Sequence, residues 1–266
     1  MAKIHPTAIV HPKAELAEDV EVGPYCIIGP NVVIDSGTVL GAHVVIEENT
    51  FIGKMNSIGH GAVLGAPPQD RKFKHERTYL RIGDNNLIRE YVTIHRASGE
   101  GEETVVGNNC FLMAYSHIGH NTRVGDGVVM ANSVGISGHC IIEDGANLGG
   151  MTGVHQYTRI GRLAMVGGMS RITRDVPPYL MVEGNPAEVH GVNLVGLKRA
   201  GIPEANRTAL RVACRLLYFA NLNTSQAIER IRAEVPLVPE VKHLLRFVEE
   251  IRQGRNGRYL DQPSRK

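Results

Sequence analysis

The sequence predicts a parallel β-helix followed by a C-terminal α-helical domain, and three observations carry that expectation. Aliphatic residues return at every sixth position from Ile4 to Ile172, filling 26 of 29 slots in a single phase. The residue four places after a slot is almost always small or β-branched, as in Ala14, Val20, Cys26, Val32 and Thr38. Beyond Ile172 the phase stops and helical spacing takes over. Neither a period of 3.6 nor a period of 2 keeps one face at intervals of six for so long, so the hexapeptide itself is the building unit.

The first part of the chain, residues 1–185, is built from these units. A long aliphatic residue followed four places later by a small one suits a narrow interior in which short strands meet at corners. Glycine often follows the slot, as at Gly23, Gly29, Gly41, Gly119 and Gly125, where turns between short strands favour a residue without Cβ. A chain wound in this way pairs its backbone with the coils on either side. The pattern resembles the hexapeptide-repeat acyltransferases, and the resemblance implies a left-handed parallel β-helix with three hexapeptides, or about 18 residues, per coil.

Asp70, Glu76 and Glu100 are the three residues that break the aliphatic phase. They fall in two excursions, 65–81 and 95–105, the first with Pro67-Pro68 and a charged run and the second with Ser98-Gly99-Glu100-Gly101. Both return in phase, so both read as loops thrown out from corners. The first is the stronger candidate for binding residues, and the second reads more as a tolerated surface insertion.

Residues 186–266 form the helical part. Pro177-Pro178 and Asn185-Pro186 punctuate the exit from the repeat. Apolar residues at helical spacing follow, including Leu210, Leu216, Leu217 and Phe219, and then Val241, Leu244, Leu245 and Val248. Pro203 marks one helix start and Thr224-Ser225 is the expected N-cap of another. The last stretch, residues 256–266, has no apolar period and reads as frayed.

Charge divides near the same boundary. Residues 191–266 hold 14 Lys and Arg against 7 Asp and Glu, leaving 15 against 20 in the remainder, so the overall +2 conceals a basic helical end. Such an end suits an acidic partner or a phosphorylated substrate. Nucleic acid is disfavoured, because no basic motif interleaved with aromatics occurs and Trp is absent. Cys26, Cys110 and Cys140 fall in the small interior slots and Cys214 in a helix, with no metal-pair or disulfide spacing. The start of the chain has no apolar signal core, and no stretch approaches the ~20 apolar residues of a membrane span. The expectation is a cytoplasmic protein with no transmembrane segment and no metal or other cofactor.

Chemistry concentrates in Tyr115-Ser116-His117-Ile118-Gly119-His120-Asn121. Ile118 holds an interior slot, so His117 and His120 turn outward, toward solvent or a partner subunit. With an 18-residue coil, Gly138 and Gln156 stack above His120, with His139 and His155 beside that column. Imidazoles in this position can take a proton from a hydroxyl attacking an acyl group. Three histidines across a subunit boundary could instead hold zinc, as in a γ-carbonic-anhydrase-like hydratase. A purely structural repeat protein is the third alternative.

Several further segments narrow the resemblance: Gln69-Asp70-Arg71-Lys72, Ile88-Arg89-Glu90-Tyr91, Ser116-His117-Ile118-Gly119-His120, Gly153-Val154-His155-Gln156 and Gly191-Val192-Asn193-Leu194. Together they resemble the UDP-N-acetylglucosamine O-acyltransferases. That resemblance implies transfer of a 3-hydroxyacyl chain from acyl carrier protein to the glucosamine 3-hydroxyl, the opening step of lipid A biosynthesis. A related enzyme acting on a 3-amino sugar is the nearest alternative. The resemblance makes His120 the general base and the Gly138 N–H the oxyanion donor. It gives Asp70, Lys72, His117 and Gln156 the sugar and acyl hydroxyl, lines the site with His139 and His155, has Gly168 set acyl length, and assigns the nucleotide to Asn193 and Arg199. It further implies a homotrimer with sites between subunits. Asn121, Val195 and Ala200 stand where some members of the family carry charged or polar residues.

Overall fold

Residues 2–262 are described by a computed structural model. Strands of mostly two residues repeat around three parallel sheets of eleven, nine and eight strands. These are sheet A, beginning at Lys3–Ile4, sheet B at Ile9–Val10 and sheet C at Glu15–Leu16. Successive strands visit A, B and C in turn, so the chain is a parallel β-helix with AB, BC and CA edges. In each two-residue strand the first side chain points outward and the second fills the interior.

Register explains why the excursions leave the stack intact. In the early coils paired residues are 18 apart, as in Glu21 with Val39 and Ile27 with Val45. Across the first excursion Ser57 pairs with Leu87, and across the second Thr93 pairs with His117, so the loops add whole hexapeptides. Interior slots such as Ile46, Leu64, Ile88, Ile94, Leu112 and Ile118 are fully buried. Each such side chain contributes roughly 1.5–3 kcal/mol of burial. Ile4 is 45% exposed because no coil stacks on its outer side.

The glycine after each slot does not serve a turn with positive φ; the left-handed residue comes two places later, at Tyr25, Asn31, His43, Asn121 and His139 among others. The glycine is required by the coil above. A Cβ on Gly119, for example, would lie 2.7 Å from the Gly138 nitrogen.

Sheet A continues past the last coil. Met165 pairs in parallel with Met181, and Leu180–Gly184 folds back antiparallel on Ala187–Val192. The division expected at 185/186 falls in the turn of this hairpin, and the first helix starts at Leu194. Helices α1 (Leu194–Arg199), α2 (Glu204–Tyr218), α3 (Thr224–Glu234) and α4 (Pro239–Ile251) follow. They enclose a second core that includes Leu197, Leu210, Ile231, Val241 and Leu244. The α3 cap is Asn223 rather than Thr224-Ser225, because Asn223 and Gln226 exchange side-chain and backbone hydrogen bonds in a capping box. Phe219, expected on the apolar face, instead ends α2 and is 54% exposed.

Arg159 ties the last coil to the helices. It meets Asp175 at 2.9 Å and Glu250 at 2.6 Å, with its guanidinium 4.0 Å from the Phe247 ring centre and 4.5 Å from that of Tyr259. The stretch expected to fray is therefore docked as far as Asp261: Tyr259 N–H donates to Asp175, Arg258 to the Thr173 carbonyl, and Asp261 accepts from Arg258. Its lack of apolar period reflects polar docking. Residues 263–266 of that expectation lie outside the described residues. No described helix is long and apolar enough to cross a membrane.

Candidate active site

A groove of about 550 Å³ runs along the outer face of sheet B to the BC edge, and His95, His117, His120, Gly138, His155 and Gln156 line it. Its floor is made by outward-facing Gly135 and Gly153, where a Cβ would meet nothing within 4 Å. Larger residues at those two positions would fill the channel that the glycines leave open.

His120 sits where this floor meets the edge. Its Nδ1 lies 2.8 Å from Asn121 Oδ1, and the same oxygen accepts from the Ser98 N–H at 2.9 Å while Asn121 Nδ2 donates to the Ser98 carbonyl at 3.0 Å. Both ends of the amide are thus identified by the main chain. An oxygen facing Nδ1 assigns the proton to Nδ1 and leaves the Nε2 lone pair free. That nitrogen faces Gly138: a Cβ there would lie 2.7 Å from Nε2.

The Gly138 N–H has no acceptor among the described residues. The equivalent N–H groups on the CA edge are capped by side chains from the next coil: Lys54 by Asp84, Asn108 by Asp126 and Asp126 by Asp144. Above Gly138 the corresponding residue is Gln156, which is exposed and supplies no such cap. An unpaired donor beside an imidazole base is the local geometry of an oxyanion site.

The neighbouring imidazoles are kept neutral. Burial, reinforced by the nearby His120 charge, holds His117 below 6.5, and its Nδ1 lies 2.8 Å from Thr93 Oγ1. His139 is lowered by the same two causes, stands edge-on to His120 at 5.1 Å and stacks on Tyr157. His95 is the most perturbed: burial, then the charges of His117 and His120, bring it down to about 4. It was not among the site residues expected from sequence, although it directly follows Ile94. The second excursion makes its neighbours 24 residues apart, which an 18-residue count misses.

The remaining expected residues are distributed over the prism. Asp70 lies in the first excursion on the same BC edge. The Lys72 N–H chiefly, with the Ser98 hydroxyl and the His120 charge, holds its carboxyl below the ordinary range. Lys72 is exposed in that loop, and Gln69 reaches the groove. His155 and Gln156 are exposed at the groove wall. Gly168 belongs to the AB edge, where a Cβ would lie 3.2 Å from the Gly150 carbonyl. Asn193 is buried, caps α1 through Gly196 N–H and donates to Leu163 O beside the CA edge, while Arg199 is exposed at the end of α1. These three are not gathered with His120 within one chain. Among the described residues no three His, Cys, Asp or Glu side chains are grouped so as to hold a metal.

Comparison with known proteins gives a consistent set of relatives. Residues 175–257 match the model for UDP-N-acetylglucosamine O-acyltransferase, domain 2, and residues 1–36 and 103–138 match the bacterial transferase hexapeptide model. An acyl-(acyl-carrier-protein)–UDP-N-acetylglucosamine O-acyltransferase of Thermodesulfovibrio yellowstonii is 48% identical over 255 residues, covering 96% of this chain and 99% of that protein. Its counterpart from Gloeothece citriformis is 52% identical over 204 residues, covering 77% and 74%. A UDP-N-acetylglucosamine acyltransferase structure from Bacteroides fragilis superposes with a TM-score of 0.90 at 39% identity, over 92% of this chain and 96% of that one. A Moraxella catarrhalis UDP-N-acetylglucosamine O-acyltransferase structure gives 0.87 at 44% identity, over 91% and 95%.

Proposed function

This chain belongs to the UDP-N-acetylglucosamine O-acyltransferase family, and we infer that it carries out that family's reaction through His120 and Gly138. It moves a 3-hydroxyacyl chain from acyl carrier protein to the glucosamine 3-hydroxyl of UDP-N-acetylglucosamine, opening lipid A biosynthesis in the cytoplasm. The observation that carries this reading is the pairing of a free His120 Nε2 with the unpaired Gly138 N–H one coil above.

The steps follow from that pairing. His120 Nε2 takes the proton of the sugar 3-hydroxyl as its oxygen attacks the thioester carbonyl. The resulting tetrahedral oxyanion accepts from the Gly138 N–H. Collapse of the intermediate breaks the carbon–sulfur bond, and the imidazolium returns its proton to the departing thiolate. Asn121 holds the ring so that Nε2 faces the substrate, although an amide stabilises the imidazolium less than a carboxylate would. Neutral His117, with Asp70, Lys72 and Gln156, binds the sugar and the acyl hydroxyl, and His155 lines the groove beside them. His139 braces His120 from the side, and Gly168 leaves room for the acyl chain.

A site completed by a second chain of a homotrimer accounts for the spread of residues over three edges. Family resemblance supports it, as does an exposed ridge along the AB edge formed by Tyr25, Tyr91, Tyr115, Met151 and Met169. Large apolar side chains standing out along one edge suit a face that a second copy of the chain covers. Arg199 and Asn193 would then meet the nucleotide of a neighbouring site, Asn193 by shaping the start of α1 rather than through a free side chain. Among the described residues the C-terminal part pairs Arg230 with Glu234, Arg232 with Glu249 and Arg258 with Asp261, while Lys198, Arg199, Arg211 and Arg215 are exposed and meet no carboxylate. This unpaired basic surface suits the acidic acyl carrier protein. Incubating the protein with 3-hydroxyacyl carrier thioesters of several lengths and with UDP-N-acetylglucosamine or its 3-amino analogue tests the reading. An ester on the 3-oxygen is expected, and turnover confined to the amine, or none with any thioester, overturns it.

A further inference from the structure

The three charged residues that interrupt the aliphatic phase share a local role. Asp70 Oδ2 lies 3.1 Å from the Ser98 hydroxyl, which donates to it. Glu76 Oε1 accepts from the Gly99 N–H at 2.8 Å, and Glu100 Oε2 accepts from the Arg77 N–H at 3.1 Å. The Gly101 N–H also donates to the Arg77 carbonyl at 2.9 Å. Each carboxylate therefore joins one excursion to the other, and the glutamates do so reciprocally. The Glu76 and Gly99 N–H groups keep the Glu76 carboxyl below the ordinary carboxylate range, so it is ionised at neutral pH.

The joined loops end on the imidazole base. Ser98, next to Gly99, grips both the oxygen and the nitrogen of the Asn121 amide with its main chain, and Asn121 Oδ1 faces His120 Nδ1. At its other end the first excursion is anchored by Arg96, which donates to the Gly65 carbonyl and to Glu48 and lies 5.8 Å from the Phe73 ring centre. The second excursion, which from sequence reads as a surface insertion, is thus the link between a fixed loop and the catalytic imidazole. Asn121 could rotate its amide without Ser98, and a rotated amide would present a donor to Nδ1 and favour the unproductive tautomer.

We propose that the two excursions act as one strap in which Glu76, Glu100 and Ser98 are positioning residues, fixing the Asn121 amide and through it the Nδ1–H tautomer of His120. The proposal rests on the reading of His120 as general base. Charged hydrogen bonds from carboxylate to backbone N–H are among the stronger ones available to a loop, which is why polar residues occupy these otherwise aliphatic positions.

The test compares the full-length protein with a Glu76→Ala/Glu100→Ala double variant and with Glu100→Gln, which keeps an acceptor for the Arg77 N–H. Turnover is measured alongside the ¹⁵N spectrum of selectively labelled histidines, with Asn121→Ala assigning the His120 signal. The double variant is expected to lose about tenfold in kcat with KM for both substrates within about twofold, as small misplacements of a catalytic group do. Its His120 signal moves toward the Nε2–H tautomer, and Glu100→Gln retains wild-type kcat within about twofold. Unchanged kcat and tautomer in the double variant, with only thermal stability reduced, overturn the proposal, as does a change confined to KM. The spectrum requires no turnover. An active His120→Ala protein would remove the base reading, while a shifted tautomer in the double variant would still establish the strap.

Discussion

Replacing Gly138 with alanine puts a methyl carbon 2.7 Å from His120 Nε2 and 2.8 Å from Cε1, where ordinary contact begins at 3.4 Å. The ring must therefore retreat by about 0.7 Å, and it can do so only by disturbing the 2.8 Å contact between Nδ1 and Asn121 Oδ1. Gly138 does not occupy the left-handed region, so the alanine brings no backbone strain and keeps its N–H. Misplacement of a reacting group by 1 Å costs up to about 10²-fold, so kcat should fall between about tenfold and 10²-fold with thermal stability little changed. Steady-state kinetics on the single variants and on Gly138→Ala/His120→Ala provide the assay. If the methyl acts by displacing the base, its cost vanishes when His120 is already absent. Wild-type turnover in Gly138→Ala, or an undiminished cost in the His120→Ala background, refutes the reasoning.

Acid provides an independent probe of the neutral histidines. His95 is lowered from 6.5 to about 4, so the unfolded chain binds a proton there that the folded one excludes, and stability falls as pH drops across that interval. The contribution is ~3 kcal/mol, and His95→Gln should shrink by about that amount the loss in denaturant unfolding measured between pH 6.5 and 4, to which the lowered His117 and His139 also add. Asp175→Ala leaves the buried Arg159 guanidinium with Glu250 as its remaining carboxylate and strips the acceptor from the Arg159 and Tyr259 main-chain N–H groups, which should cost about 1–3 kcal/mol in the same measurement; a loss below about 0.5 kcal/mol would contradict the clamp. Mixing His120→Ala chains with Arg199→Ala chains, each weakly active alone, should restore up to about a quarter of wild-type turnover if neighbouring subunits complete each site. No recovery would assign both residues to one chain's site.

The six-residue phase made the interior legible because one slot per strand must be apolar wherever coils stack, and Ile28 to Ile172 are buried as that rule requires. The column of His120, Gly138 and Gln156 was legible for the same reason, since no insertion lies between them. His95 and the pairing of Ser98 with Asn121 were not. They depend on coils lengthened by 6 or 12 residues, and on the way two excursions fold against each other, for which a repeat gives no register. Asn193 resembled a ligand contact in sequence, yet its side chain is committed to capping α1 and to the Leu163 carbonyl. Polar capping and polar ligand binding use the same residue types, so only the neighbours distinguish them. The docked tail, held by Arg258 and Tyr259, escaped notice because ion pairs and main-chain bonds leave no hydrophobic period.

The most direct test of the account is the turnover of His120→Ala with a 3-hydroxyacyl carrier thioester and UDP-N-acetylglucosamine, measured on a protein whose thermal unfolding matches the wild type. Loss of about two to four orders of magnitude in kcat is predicted, the contribution of a positioned general base. Turnover within about threefold of wild type would contradict the assignment of proton transfer to His120 and, with it, the reading of the groove as the catalytic centre.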